Sequence, residues 1–391
     1  PALAAGDGAA GGGAAASDAG VDDAAPDAAY DPDPFAEMMA LGLGQYFGTA
    51  PAEEEQIDGE VVTYTFDPQD GPICFRGDPY RVALRDLGAE DLLIFMQGGG
   101  ACWSDFCFAI DFARPGMPPI DILDRDLAAN PVRDWNAAYL PYCDASLFAG
   151  DAEYDDDGDG ELDRRHAGLR NLSAALDLIA EHFPAPRRVL LAGSSGGGYG
   201  TIVATVLVRA KYPEVPLFVF NDSGLGVARA DDPAYLAKIV DEFNVRRFLP
   251  ASCEDCIGNG HLTRLVAWEL ERDPRMKLSM FSATGDFVIA NLFLMIGEAG
   301  FAPAMLAETE ALALRFPNQF RRFIIPGKIH TALLGDASGF VGPELGERLA
   351  GVVELGSMAE TQVEGVTVGA WLEAMLGGDQ ATWRNLVSTE E

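Results

Sequence analysis

From Leu92 onward, short apolar runs of strand length alternate with longer stretches that read as helices. The runs are Leu92–Met96, Tyr139–Tyr142, Val189–Ala192, Leu217–Asn221, Leu278–Ser282 and Phe323–Ile325. Between them, 166–182, 201–211, 261–272 and 287–299 predict helices. Upstream, 60–66 and 80–84 predict strands of antiparallel character. A regular strand-then-helix order calls for an α/β fold, with a mostly parallel central sheet covered by helices on both faces. No internal repeat or linker-like break interrupts the pattern, so residues 35–391 are expected to form one domain. Residues 1–34 break with it. They are Ala, Gly, Asp and Pro with few large apolar side chains, too little to offset chain entropy, and disorder is expected there.

Composition narrows the setting. The chain has 391 residues, 48% of them hydrophobic, enough for a sizeable core. Lys and Arg number 27 against 61 Asp and Glu, a formal net charge of −34. Such a surface repels nucleic acid and anionic membranes. No run of eighteen or more uncharged apolar residues occurs, so no spanning helix is expected. Six cysteines, an even count with two close pairs, suggest three disulfides and an oxidising compartment. With the acidic N-terminal stretch, which resembles the tether of an exported bacterial domain, this points to a secreted or extracytoplasmic protein held at a surface. Pro1 is expected to lie past a processing point.

The chemistry centres on Gly193-Ser194-Ser195-Gly196-Gly197, a G-x-S-x-G pattern between the Val189–Ala192 run and the predicted helix 201–211. A serine on a tight strand-to-helix turn is strained and exposed above a parallel sheet, and the helix N-terminus behind it favours developing negative charge. A plain Gly-rich turn is the alternative. A serine hydroxyl needs a base, usually His, oriented by a carboxylate. The four histidines are His166, His182, His261 and His330. In α/β-hydrolases the order is Ser, acid, His, which leaves His261 and His330. His330 follows the last core strand and is preferred; His261 reads as a surface or capping residue. Asp286 and Asp222 both follow strands. Asp286 is preferred as the acid, and Asp222, before Ser223 and Gly224, reads as a turn or capping residue. Gln97-Gly98-Gly99-Gly100-Ala101 after the Leu92–Met96 strand fits an oxyanion element, so Gly99, Gly100 and Gly196 are the expected amide donors. No G-K-[ST] follows, which disfavours a phosphate loop.

These segments resemble the pectin acetylesterase/Notum family of serine carboxylesterases. Gly98-Gly99-Gly100-Ala101-Cys102-Trp103 is similar to the family's Gly-Gly-Gly-Trp-Cys element, with Ala101 in place of Trp and Trp103 two positions later. Pro141-Tyr142-Cys143-Asp144 is similar to its Tyr-Cys-Asp/Ser segment, and Gly193–Gly197 to its elbow. Asp286 and His330 match its acid and base. The resemblance covers roughly residues 60–335. It implies an α/β-hydrolase fold and hydrolysis of O-acyl, by default O-acetyl, esters through an acyl-enzyme without a cofactor, on polysaccharide acetates or a protein-linked lipid. It also implies the pairs Cys74–Cys143 and Cys102–Cys107, with Cys253 and Cys256 then pairing locally. A zinc site at Cys253, Cys256 and His261 lacks a visible fourth ligand.

Two stretches stand outside this scheme. In Asp155-Asp156-Asp157-Gly158-Asp159-Gly160-Glu161-Leu162-Asp163, oxygen donors recur at loop positions one, three, five and nine (Asp155, Asp157, Asp159, Asp163), with Gly160 at six, the spacing of a calcium loop. Position twelve is His166 rather than Glu, and a solvated acidic turn is the alternative. Residues 287–316, rich in Leu, Met, Phe and Ala, read as two core-packed helices or as a lid over the serine. The rivals to an O-acetyl esterase are an esterase for longer acyl or polyester substrates and a non-catalytic hydrolase-fold module that binds glycan or protein. The last would be marked by a broken triad.

Overall fold

A computed structural model describes residues 31–335 and 353–389; the N-terminal stretch expected to be disordered therefore falls outside the described residues up to residue 30. A short helix α1 (Ala36–Ala40) precedes three antiparallel strands, β1 (Ala52–Asp58), β2 (Val61–Phe66) and β3 (Arg81–Arg85). β4 (Asp91–Met96) follows, then a separate hairpin of β5 (Gly100–Trp103) and β6 (Phe106–Ala109). β7 (Asn136–Leu140) returns to the main sheet. A second hairpin, β8 (Ala152–Tyr154) and β9 (Arg164–His166), leads into α2 (Gly168–His182). From there strand and helix alternate: β10 (Arg188–Ser194), α3 (Gly196–Lys211), β11 (Leu217–Asp222), α4 (Ala234–Glu242), α5 (Thr263–Arg272), β12 (Lys277–Ala283), α6 (Gly297–Arg315) and β13 (Phe320–Ile325). A small ribbon, β14 (Gln362–Val363) with β15 (Val366–Thr367), a helix Val368–Gly377 and β16 (Leu386–Val387) complete the order.

Among the described residues the main sheet has ten strands in the order β1-β2-β3-β7-β4-β10-β11-β12-β13-β16. Every pairing from β7 to β16 is parallel, and β3 meets β7 antiparallel. Period-two alternation divides each central strand between two cores. Leu92, Ile94 and Met96 join Val189 and Leu191 in one apolar cluster with α2, α3 and α5. Leu93 and Phe95 join Leu190, Ala192 and Trp371 of the helix Val368–Gly377 in the other. Strands buried on both faces read as the continuous apolar runs seen in the sequence. This is the α/β-hydrolase arrangement.

Three elements differ from expectation. The predicted helix 287–299 is a π-helical turn, Val288–Phe293, broken at Met295 (φ 55°), with α6 starting anew at Gly297 (φ 64°). The helix after the elbow begins at Gly196 rather than Thr201. Gly196, Gly197, Gly198 and Gly200 are poor helix formers, but close packing overrides propensity there. A methyl group on Gly197 would lie 2.1 Å from the Met96 carbonyl oxygen. His166 ends β9 instead of opening a helix.

Candidate active site

Ser195 occupies the one-residue turn between β10 and α3 with φ 55° and ψ −117°. That left-handed conformation costs a non-glycine residue about 1–3 kcal/mol and persists only where neighbours enforce it. Two do. The Ser195 amide donates to the Asp222 carbonyl at 2.8 Å, and Gly98 packs so closely that a methyl there would sit 2.8 Å from Ser195 Cβ. Among the described residues, no hydrogen bond holds the Ser195 hydroxyl.

The Gly-rich run lies against this elbow. A methyl on Gly196 would be 3.6 Å from the Gly99 nitrogen and 3.2 Å from the Gly100 oxygen, so the start of α3 packs directly on this run. Tyr142 secures the run, a role the sequence reading did not assign it. Its hydroxyl donates to the Gly100 carbonyl at 2.8 Å and accepts the Leu147 amide at 3.0 Å. Gln97 Oε1 accepts the Tyr142 amide and the Tyr139 hydroxyl. The only sequence signal for this was the position of Tyr142 in the Tyr-Cys-Asp segment. Disulfides brace the same region: Cys102–Cys107 spans directly opposed positions of β5 and β6, and Cys74–Cys143 ties the strand region before β3 to the residue after Tyr142. Cys253–Cys256 is the third, which leaves no thiolate for zinc.

Asp286 follows β12 and His330 follows β13, neighbouring parallel strands whose ends lie side by side. His330 Nδ1 stands 2.8 and 3.0 Å from the two Asp286 oxygens, with both residues buried. Asp286 also accepts the Ile289 amide at 3.0 Å, and the His330 amide donates to the Glu354 carbonyl at 2.7 Å. A carboxylate on Nδ1 leaves Nε2 as the nitrogen able to take a proton.

Asp222, the alternative acid and the residue read as a turn or cap, makes no hydrogen bond to either ring nitrogen of His330. It is fully buried, and its carboxylate accepts the Ser194 hydroxyl at 2.7 Å, the Ala332 amide at 2.9 Å and the Leu333 amide at 3.1 Å. Burial pushes its pKa up to about 6, against the pull of those donors and of His330. His261 is likewise buried rather than superficial: its Nδ1 accepts the Ala228 amide at 3.0 Å, and burial lowers its pKa.

Aromatic side chains crowd the ground beside the elbow. Phe293 lies 5.6 Å from Trp103 and 5.3 Å from Tyr199, ring centre to ring centre, and Tyr235 meets Trp103 at 6.1 Å. The cavities on either side of Tyr199 are small, about 10 Å³ beside Ser223 and Ile289 and about 50 Å³ beside Leu147 and Ile202.

In the acidic loop, Asp155, Asp157 and Asp159 bring oxygens within 4.8 Å of one another, all exposed. Asp163, expected as a fourth ligand, stands outside that group; its carboxylate accepts the Asp156 amide at 2.8 Å. Position nine thus closes the turn on itself. Asp155 already accepts the Gly158 and Gly160 amides. His166 is buried against Phe75 and Phe243, and burial lowers its pKa to about 4.

The sequence profile described as Pectinacetylesterase matches residues 61–253. Over that segment the chain is similar to the pectinacetylesterase family. It is 24% identical over 220 residues to pectin acetylesterase 11 of Arabidopsis thaliana, covering 50% of this chain and 50% of that protein. It is 25% identical over 195 residues to palmitoleoyl-protein carboxylesterase notum1' of Xenopus laevis, covering 44% of this chain and 38% of that protein. The chain therefore spans about half the length, or less, of the curated relatives it matches. The family match includes the Gly-rich run, Tyr142, Ser195 and Asp222, and stops short of Asp286 and His330. Three disulfides fit an extracytoplasmic setting, and among the described residues no helix is long and apolar enough to cross a membrane.

Proposed function

We propose that this chain is a serine carboxylesterase that hydrolyses O-acyl esters through an acyl-enzyme. The observation that carries the proposal is the buried Asp286–His330 contact at 2.8 Å, in a chain whose Ser195 is held at positive φ in a strand–helix elbow. In the proposed cycle Ser195 attacks the ester carbonyl and His330 Nε2 takes its proton. Asp286 holds the imidazole tautomer and stabilises the imidazolium. The amides of Gly99, Gly100 and Gly196 receive the oxyanion. Collapse passes the proton to the leaving alcohol, and water repeats the sequence to release the acid. Protein groups alone carry each step.

A short acyl group, acetyl by default, is the proposed substrate, carried on a polysaccharide. Support comes from the aromatic side chains of Trp103, Tyr199, Tyr235 and Phe293, which pack on one another beside the elbow. The proposed setting is outside the cytoplasm, with the N-terminal stretch as a surface tether. A structural calcium on Asp155, Asp157 and Asp159 is an accessory proposal. Equal melting temperatures in chelator and in millimolar calcium would remove it.

The test is labelling by a fluorophosphonate probe, followed by turnover of esters of graded acyl length and of acetylated polysaccharide. Wild-type protein should label and Ser195→Ala should not, with turnover highest for acetyl. No labelling of a folded wild-type protein would return the chain to a binding module, and a preference for long chains would overturn the acetyl assignment.

A further inference from the structure

The proposed nucleophile and base come from segments far apart in sequence, so something must set their mutual position. Asp286 orients the imidazole ring about its own bond, but it does not reach the elbow. The only carboxylate that touches both segments, among the described residues, is Asp222. Its Oδ2 accepts the hydroxyl of Ser194, the residue before the nucleophile, at 2.7 Å. The same carboxylate accepts the amides of Ala332 and Leu333, the second and third residues after His330. Adjacent groups repeat the linkage. The Asp222 carbonyl accepts the Ser195 amide at 2.8 Å, and the Ser223 hydroxyl accepts the Thr331 amide at 3.2 Å. Thr331 itself has φ 72°, so the chain after His330 bends sharply toward this carboxylate.

We propose that Asp222 is a positioning residue that fastens the His330 loop to the nucleophile elbow and so sets the distance between Ser195 Oγ and His330 Nε2. The inference rests on the serine-esterase reading and deepens it. A carboxylate suits the task for a physical reason. It offers four lone-pair directions and no donor, so one fully buried group can satisfy a hydroxyl and two backbone amides at once. An asparagine of the same shape keeps one acceptor oxygen and turns an amino group toward donors. Alanine leaves the Ala332 and Leu333 amides without an acceptor in a buried place. The turnover of a positioned pair is sensitive to displacements near 1 Å, which cost about 100-fold.

The experiment compares Asp222→Asn, Asp222→Ala and Ser194→Ala with wild type. Readouts are kcat and KM on a soluble acetyl ester, the melting temperature and the imidazole NMR signals of His330, assigned with His330→Gln. Asp222→Ala should lower kcat by about 100-fold with KM unchanged. Asp222→Asn should lose less, and Ser194→Ala, which removes one of the bonds, less again. The His330 signals should move in each variant in the same order. Asn keeps the question decidable if Ala does not fold. Loss of turnover fully accounted for by a smaller folded fraction, with His330 signals at their wild-type positions, would overturn the proposal. If wild type neither turns over esters nor labels, the esterase reading fails. The movement of the His330 signals still decides the linkage.

Discussion

At the scale of single residues, the site depends on where charge is allowed to sit. Ser195→Ala or His330→Ala should cut ester turnover by about 10,000-fold or more, with Ser195→Ala melting as wild type and His330→Ala, which removes the buried partner of Asp286, melting lower. Asp286→Asn should be similarly severe, because its hydrogen bond sets the imidazole tautomer. Asp222 makes a separate prediction about pH. Burial raises its folded pKa to about 6, above the usual value of about 4. The folded state then binds the extra proton. The contribution of this group to stability is complete below about pH 4 and is lost as pH rises through about 6. Wild type should therefore lose melting temperature relative to Asp222→Asn between those limits. A difference between the two proteins that does not change with pH would refute the shift. Ser194, Ala332, Leu333 and His330 are the groups facing Asp222 that set the size of the effect.

Among elements, glycines and one buried ion pair fix how the pieces meet. Gly98→Ala would press its methyl to 2.5 Å from the Ser194 carbonyl oxygen. The elbow or the Gly-rich run must then move. On the far side of α3, Arg209 and Asp273 pair at 2.6 Å with both side chains buried. Arg209 also donates to the carbonyls of Tyr212, Pro213 and Val215, which locks the end of α3 to the approach of β11. Asp273→Ala leaves the guanidinium charged and without its counter-ion, a change expected to cost about 3–5 kcal/mol. Chemical denaturation should show it, with the midpoint falling and the slope nearly unchanged. Residues 287–316, read as two core-packed helices or as a lid, divide between a π-helical turn and α6. Phe293 in the π-helical turn is a packed wall against Trp103 and Tyr199, while α6 packs on β13 and α5.

For the whole molecule, the disulfides carry unequal weight. Cys74–Cys143 closes a loop of sequence separation 69, and Cys253–Cys256 one of separation 3. In the chain-entropy description the first restrains the unfolded chain by about 4 kcal/mol and the second by about 2 kcal/mol. Replacing Cys74 and Cys143 with Ser should lower the melting temperature more than replacing Cys253 and Cys256. The opposite order would mean that native packing around Tyr142, rather than unfolded-chain entropy, sets the loss.

Much of this fold could be read from the chain because strands buried on both faces leave uninterrupted apolar runs, and Leu92–Met96 and Val189–Ala192 are such runs. β7 was legible only in part, since Asn136, Ala137 and Ala138 carry little apolar signal. β1, with Glu53, Glu54 and Glu55 on the sheet's edge, carries none. The elbow was legible because its strain demands small residues at fixed spacing. The candidate acid and base were legible only as residues at strand ends. Sequence by itself determined which side chains could take part, through residue type and local period. Tertiary structure alone decided which of them meet. It set Asp286 rather than Asp222 on His330, gave Asp222 to the amides after His330, buried His261 against Ala228 and moved Asp163 out of the acidic cluster. The reason is that the contacts of His330 with Asp286 and of Asp222 with the amides after His330 join strand ends through parallel crossovers, and no local pattern records which loop will lie beside which.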